Sequence, residues 1–276
     1  MPILTPGQNE TGLGHVPQAA LAIPSARGFR APECLSAVGR AGFPSVELDG
    51  TRGGLADPRR MVGLARTNLI RALRGSGLLA IAVRMEVPLG LSDRAAQRSA
   101  RESLLAAVDL AQALESPLAV VQSAAGEPRS DASGYALDVI YDADTALTRS
   151  GVRLALMIGG PVLAQPEERD RLLAQAPATV GLALEDADLD RAELGPEAVG
   201  RLAAQVWHVR LHATDRPQAG LRLDNEERAR RMLTALARAG YSGPVAVAPE
   251  VRDLDRKALA DLWRACVAFL PTAFAG

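Results

Sequence analysis

The sequence predicts a single-domain (β/α)8 barrel of the α/β class. Apolar runs of strand length alternate with amphipathic stretches of helix length about eight times along the 276 residues. Continuously apolar strands separated by helices are typical of a parallel sheet that helices cover. Eight strand–helix units close most naturally into a barrel. An open doubly wound sheet is the alternative, but no Gly-x-Gly-x-x-Gly turn follows the first strand.

The elements follow one another without a linker or a second domain. We expect a flexible segment over 1–15 and the barrel over 16–276. Strands are predicted at 16–23, 45–48, 78–85, 117–122, 152–157, 180–184, 206–212 and 244–248. Helices are predicted at 32–41, 57–75, 93–115, 132–150, 166–175, within 189–204, and at 225–239 and 254–269. Asp57-Pro58 provides the N-cap and N1 signals of the second helix, and Ser92-Asp93 caps the third.

Composition excludes several classes of function. Lys plus Arg number 31 against 32 Asp plus Glu, and no basic stripe marks a nucleic-acid surface. No run approaches the roughly 20 apolar residues of a membrane span. Cys34 and Cys266 are too isolated for a disulfide framework or a cysteine zinc site. The N-terminus lacks the basic and apolar order of a signal peptide, so the cytoplasm is the expected location. The sequence leaves open whether the chain forms a homodimer.

The strand predicted at 206–212 carries polar side chains on a face that should be apolar. His208, Arg210 and His212 are two residues apart and share a face, with Asp215 just beyond the strand end. Burying such groups unpaired costs roughly 2–7 kcal/mol each. His212 is therefore a ligand or an acid–base residue, or else half of a satisfied pair with Asp215. His208, which is deeper, is expected to be a neutral structural histidine.

Other polar residues stand at the carboxyl ends of the strands, where active sites of such barrels lie. They are Glu47, Arg84, Glu86, Gln122, Glu185, Asp186, Asp188 and Glu250. Glu185 continues the inward face of its strand, and one of the acidic residues that follow it is expected to cap the next helix. Glu47 can form a salt bridge with Arg84. Arg210 either clamps a substrate anion or neutralises Glu185.

Four segments in order resemble the xylose isomerase-like barrels, a family of sugar-phosphate isomerases and epimerases that also includes inosose dehydratase and endonuclease IV. The segments are AGFPSVEL (41–48), VGLALEDAD (180–188), RLHATD (210–215) and AGYSGPVAV (239–247). The resemblance covers nearly the whole chain. Endonuclease IV activity is not expected, because that enzyme has many histidine ligands and this chain has three histidines.

The resemblance implies a divalent metal held by Glu, Asp, His and Glu on the fifth to eighth strands. His212 matches the ligand on the seventh strand, and Glu185 stands where the Asp should be. Met157 and Ala248 occupy the other two positions, and neither offers a ligand for the hard cations that this chemistry uses. The site is thus degenerate, and no cofactor is predicted.

A rearranged metal site is the alternative. Glu185, His212 and Glu250 with water would make a three-ligand site for Mn, Zn, Co or Mg, because 248 and 250 share a face of their strand. Arg210, which replaces the family's upstream histidine, weighs against it, since a guanidinium repels a dication and supplies positive charge in its place. Asp188 likewise replaces a supporting histidine.

The resemblance implies an isomerase or epimerase that acts on a small polyhydroxylated or carbonyl substrate through an enediolate. Glu47 or Glu185 would take the proton alpha to the carbonyl, and His212 with Arg210 would stabilise the oxyanion. The expected substrate contacts are Arg84, Glu86, Gln122, Asp188 and Asp215. A dehydratase or a cyclase is an alternative reaction, and a non-catalytic barrel that binds a small ligand or a protein partner is the alternative class.

Overall fold

The computed structural model describes residues 17–23, 31–123, 131–160, 162–216, 220–250 and 255–275, apart from the side chains of 215, 216, 220 and 221. The strands are β1 (Ala19–Ala22), β2 (Ser45–Asp49), β3 (Leu79–Val87), β4 (Leu118–Ser123), β5 (Arg153–Met157), β6 (Val180–Glu185), β7 (Val206–Arg216), β8 (Gly220–Leu223) and β9 (Val245–Glu250). The helices are α1 (Ala31–Ala41), α2 (Leu64–Gly75), α3 (Arg94–Ala113), α4 (Ala132–Ser150), α5 (Pro166–Gln175), α6 (Pro196–Leu202), α7 (Glu226–Arg238) and α8 (Arg256–Phe274).

The sheet closes on itself. Neighbouring strands run β6-β5-β4-β3-β2-β1-β9-β7, and β7 pairs again with β6. All of these pairings are parallel, whereas β8 is an antiparallel extension of β7. Within the described ranges the chain is therefore a single-domain (β/α)8 barrel of eight parallel strands and eight helices, which confirms the predicted fold class.

Small side chains line much of the interior of the barrel. Branched aliphatic residues usually fill such interiors. Here seven buried alanines face inward, namely Ala20, Ala22, Ala82, Ala155, Ala183, Ala246 and Ala248. The aliphatic core lies instead between the strands and the helices. Because alanine leaves space, large polar side chains from β2 and β7 can enter the barrel near its carboxyl end.

The predicted start of the second helix at Asp57 is wrong, because α2 begins at Leu64. The Asp57 carboxylate accepts hydrogen bonds from the backbone of Gly53 and from both the backbone and the side chain of Arg59. These bonds close a turn, and Gly63 then adopts φ 53° immediately before the helix. The Asp57 carboxylate does accept backbone N–H groups, as the sequence signal predicted, but in a loop and not at the start of a helix.

The helical stretch expected within 189–204 is α6, and a 3-10 turn at Ala203–Gln205 follows it directly. One further boundary differs from the prediction. The seventh strand, expected to stop at His212, continues to Arg216 and forms a hairpin with β8, because four residue pairs of the two strands are in antiparallel register. The predicted segment 1–15, the predicted strand start at Val16 and the predicted helix start at Leu254 lie outside the described residues. In the part of the chain that is described, none of the helices combines the length and the apolar character that crossing a membrane requires.

Candidate active site at the carboxyl end of the barrel

Strand β7 directs three polar side chains into the barrel. Alternate residues of a strand point to opposite faces, and Val209 and Leu211 belong to the aliphatic layer beneath the helices. His208, Arg210 and His212 therefore share the inner face. Their side chains are 0%, 14% and 16% exposed, so the face passes from a sealed interior to an accessible mouth.

Glu47 from β2 joins the two deeper groups. Its Oε2 lies 2.7 Å from His208 Nε2, and its Oε1 accepts from Arg210 Nε at 3.1 Å. Burial alone would raise the pKa of Glu47, but the charges of Arg210 and Arg84 and the hydrogen bond and charge of His208 outweigh it and lower the pKa to about 2. Glu47 is therefore a carboxylate, and His208 Nε2 donates to it. His208 Nδ1 has no hydrogen-bond partner among the described residues.

Arg210 bridges two carboxylates. Besides Glu47, its Nη1 donates to Glu185 Oε1 at the end of β6. Burial of the guanidinium opposes its charge, yet the negative charges of Glu47 and Glu185 raise the pKa of Arg210 above its ordinary value. The sequence left two roles open for Arg210, a clamp for a substrate anion and the neutralisation of Glu185. In the structure Arg210 forms ion pairs with Glu185 and with Glu47.

His212 lies at the mouth among carboxylates. Its Nδ1 is 3.1 Å from Asp186 Oδ1, and its Nε2 is 3.2 Å from Glu185 Oε1 and 3.7 Å from Glu250 Oε1. The hydrogen bond to Asp186 is the main cause of a raised pKa for His212; burial works against it and the charge of Glu185 adds to it. The sequence also allowed a pair between His212 and Asp215, but the side chain of Asp215 lies outside the described residues.

Sequence reasoning did not select Asp186 as a site residue. Strand parity turned it outward, but the chain enters a 3-10 turn directly after Glu185. Side chains no longer alternate between the two faces in this turn, and Asp186 Oδ1 accepts from both the backbone N–H and the ring of His212. Its place in an acidic run after a strand was the available signal.

Asp188 is a second carboxyl group beside Glu185. Burial, followed by the charge of Glu185, raises the pKa of Asp188, although Arg191 lies 3.3 Å away and partly offsets this. The two carboxyls are in hydrogen-bonding contact. Gly159, in the turn after β5, makes room for this group, because a Cβ atom at 159 would overlap the Asp188 carboxyl.

A second polar group lies on β2, β3 and β4. Arg84 Nη1 donates to Gln122 Oε1 at 2.8 Å, and Arg84 Nη2 is 3.6 Å from Asp49 Oδ1. The alternative of a salt bridge between Glu47 and Arg84 is not formed, because Glu47 bonds to His208 and Arg210. Asp49 was not predicted, although it shares the inner face of β2 with Glu47 and lies two residues nearer the mouth. Glu86, in register with Gln122, is exposed.

The divalent metal that the resemblance implies does not fit these residues. Met157 on β5 and Ala248 on β9 are buried in the interior of the barrel, and they provide no oxygen or nitrogen ligand. The rearranged set of Glu185, His212 and Glu250 does converge on His212 Nε2. However, Glu185 Oε1 already accepts from the Arg210 guanidinium. Across the described ranges no three His, Cys, Asp or Glu residues are arranged to hold a metal ion.

Solved structures share this fold, although similarity at the level of sequence is low. No protein-family model matches the chain, and no curated protein is similar enough to count as a relative. D-psicose 3-epimerase from Clostridium cellulolyticum H10, solved with D-tagatose, superposes with a TM-score of 0.75 at 13% identity, over 93% of this chain and 99% of its own. 3-Keto-D-glucoside 4-epimerase (YcjR) from E. coli superposes with a TM-score of 0.72 at 14% identity, over 93% of this chain and 99% of its own. The IolI protein with a bound zinc atom superposes with a TM-score of 0.71 at 13% identity, over 94% of this chain and 100% of its own.

The fold of this chain is accordingly that of the xylose isomerase-like TIM barrels, to which these three structures belong. The resemblance noted in the sequence is confirmed at the level of the fold.

Proposed function

We propose that this protein is a cytoplasmic isomerase or epimerase that moves a proton on a small polyhydroxylated carbonyl compound without a divalent metal. One observation carries the proposal. Glu47, Arg210, Glu185 and His212 form one connected chain of hydrogen bonds and ion pairs that rises from the sealed interior to the mouth of the barrel. That mouth is where enzymes with this architecture act.

Arg210 supplies fixed positive charge beneath the reacting atoms. A guanidinium held by two carboxylates cannot rotate away, so it is already oriented when negative charge develops on a substrate oxygen. Glu47 holds the guanidinium and His208 holds Glu47, so both are positioning residues in this scheme. Glu47 is 2% exposed and has a pKa of about 2, so it is too buried and too weak a base to take a carbon-bound proton.

Glu185 and His212 carry the proton transfer. Glu185 takes a proton from the carbon next to the substrate carbonyl, and the electron pair of that C–H bond moves to the carbonyl oxygen to give an enediolate. Protonated His212 and Arg210 stabilise the oxyanion. Delivery of the proton to the former carbonyl carbon, with transfer of the hydroxyl proton from the neighbouring oxygen to the former carbonyl oxygen, gives the isomer. Protonation of the original carbon by water on its opposite face re-forms the carbonyl and gives the epimer, and Glu185 then releases its proton to solvent. No net proton or electron is consumed in either outcome.

The remaining polar residues of the mouth bind the substrate. Arg84 with Gln122 offers donors for hydroxyl groups on the β3 and β4 side, and the Asp188 carboxyl beside Glu185 can accept from substrate hydroxyl groups. Glu86, which is exposed, and Asp215, near the end of β7, complete the proposed set. Structures of D-psicose 3-epimerase solved with D-tagatose and with D-fructose support a sugar as the substrate class.

The test is turnover of a panel of free ketoses and aldoses, followed by product chromatography. The wild-type protein is expected to convert at least one of them, and His212→Asn should lower the rate about 10²- to 10⁴-fold, the usual contribution of a positioned acid–base residue. Glu197→Gln, which changes a side chain that is 92% exposed, is the matched control and should retain full activity. Equal rates for His212→Asn and the wild type would refute the assigned role.

A non-catalytic barrel that binds a small ligand or a protein partner is the second candidate. The observation that favours it is the satisfaction of the inner charges by one another, since Arg210 is already bonded to Glu47 and Glu185. Under this alternative no sugar of the panel is converted, and His212→Asn alters ligand binding alone.

A further inference from the structure

The inner end of the site contains a cation of its own. Glu47 and Glu185 are 2% and 6% exposed, and two buried carboxylates need a compensating positive charge. Arg210 reaches both, through Nε and through Nη1. Its side chain is 14% exposed, so solvent screens this charge only weakly.

The same carboxylate oxygen faces both the guanidinium and the histidine. Glu185 Oε1 accepts from Arg210 Nη1 and lies 3.2 Å from His212 Nε2, and Glu250 Oε1 approaches that nitrogen at 3.7 Å. A divalent ion that bound to Glu185 and His212 would therefore sit against the guanidinium. The two charges repel each other in a partly desolvated site, where Coulomb energies are larger than in water.

We propose that Arg210 is the permanent cation of this site and that it excludes a divalent metal from Glu185, His212 and Glu250. It compensates the buried carboxylates as a metal would, but by a covalently attached and always protonated group. Replacing Arg210 by a neutral side chain of similar length would open a latent metal site at these three residues. The inference deepens the proposed function, yet it depends on charge and geometry and not on turnover.

Isothermal titration calorimetry with MnCl2, CoCl2 and ZnCl2 tests the inference on the full chain. The wild type should bind none of the three ions in a way that Glu185→Gln abolishes. Arg210→Met should bind one equivalent of at least one of these ions, at least tenfold more tightly than any binding to the double variant Arg210→Met/Glu185→Gln. Arg210→Lys keeps the positive charge and should exclude metal like the wild type.

The Arg210→Met variant leaves two buried carboxylates without the cation that they share, and it can fail to fold. The double variant Glu47→Gln/Arg210→Met removes one of these charges while its amide oxygen still accepts from His208, and it is titrated in the same way. Circular dichroism establishes that each variant is folded before titration.

Two results would overturn the inference. One is stoichiometric metal in the wild type that Glu185→Gln removes. The other is that a folded Glu47→Gln/Arg210→Met variant binds no metal, or that Arg210→Lys binds metal as tightly as Arg210→Met does, since either result would show that the charge of Arg210 does not decide metal binding. If the protein excludes metal as described but converts no sugar, this inference stands and the proposed function is refuted.

Discussion

Replacing Glu47 by Gln should destabilise the fold by an amount that depends on pH. The pKa of Glu47 falls from an ordinary value of 4.5 to about 2 in the folded chain. Each pKa unit corresponds to about 1.4 kcal/mol, so the folded environment favours the carboxylate by about 3 kcal/mol at neutral pH. Because the pKa is lowered on folding, this stabilisation is complete above about pH 4.5 and is lost as the pH falls through 2. At pH 3 roughly half of it should remain.

Urea unfolding at pH 7 and at pH 3 measures these differences in the free energy of unfolding. Glu47→Gln should be less stable than the wild type by about 3 kcal/mol at pH 7 and by about half of that at pH 3. The control Glu197→Gln removes an exposed charge that pairs with Arg201, and it should change stability by less than about 1 kcal/mol at pH 7. A Glu47→Gln variant as stable as the wild type at pH 7 would refute the reasoning, because buried Glu47 would then gain nothing from Arg210 and His208.

Two further substitutions test how the mouth and its neighbouring loop are built. Gly159→Ala should lower the free energy of unfolding by about 1–3 kcal/mol, because its Cβ would displace the Asp188 carboxyl; Gly134→Ala, where no atom lies within 4 Å, should cost nothing, and equal thermal melts for the two variants would contradict this account. Asp57→Ala removes the acceptor of two backbone N–H groups and one arginine, so it should cost about 1–3 kcal/mol and speed proteolysis of the loop after β2. Asp131→Ala, at a helix N-cap whose side chain makes no capping hydrogen bond, is the control and should melt like the wild type.

The fold was predictable because periodicity reports burial. Helices α4 and α5 begin and end where the sequence pattern places them, since each lies between a clear start signal and a break. Asp57 was misread because a carboxylate followed by proline can cap either a helix or a turn, and the choice depends on which N–H groups come within reach. The hairpin of β7 with β8 was missed because the antiparallel partner lies beyond the residues that close the barrel.

The site was predictable to the extent that it follows strand parity. The shared face of His208, Arg210 and His212 is a local property of one strand. Partner choice is not local, because the bond between Glu47 and Arg210 joins residues 163 positions apart, across the barrel. Asp186 escaped detection for a different reason, since its 3-10 turn interrupts the alternation that the argument used.

Deuterium incorporation from D2O tests the central claim most directly. Protein treated with a chelator is incubated in D2O with D-psicose, D-tagatose, D-fructose and L-ribulose, and mass spectrometry with NMR locates any deuterium in the recovered sugar. We expect one deuterium on a carbon next to the carbonyl of at least one sugar, at a rate that Glu185→Gln lowers about 10²- to 10⁴-fold. No incorporation into any of them, or equal incorporation by Glu185→Gln, would contradict proton transfer by this site.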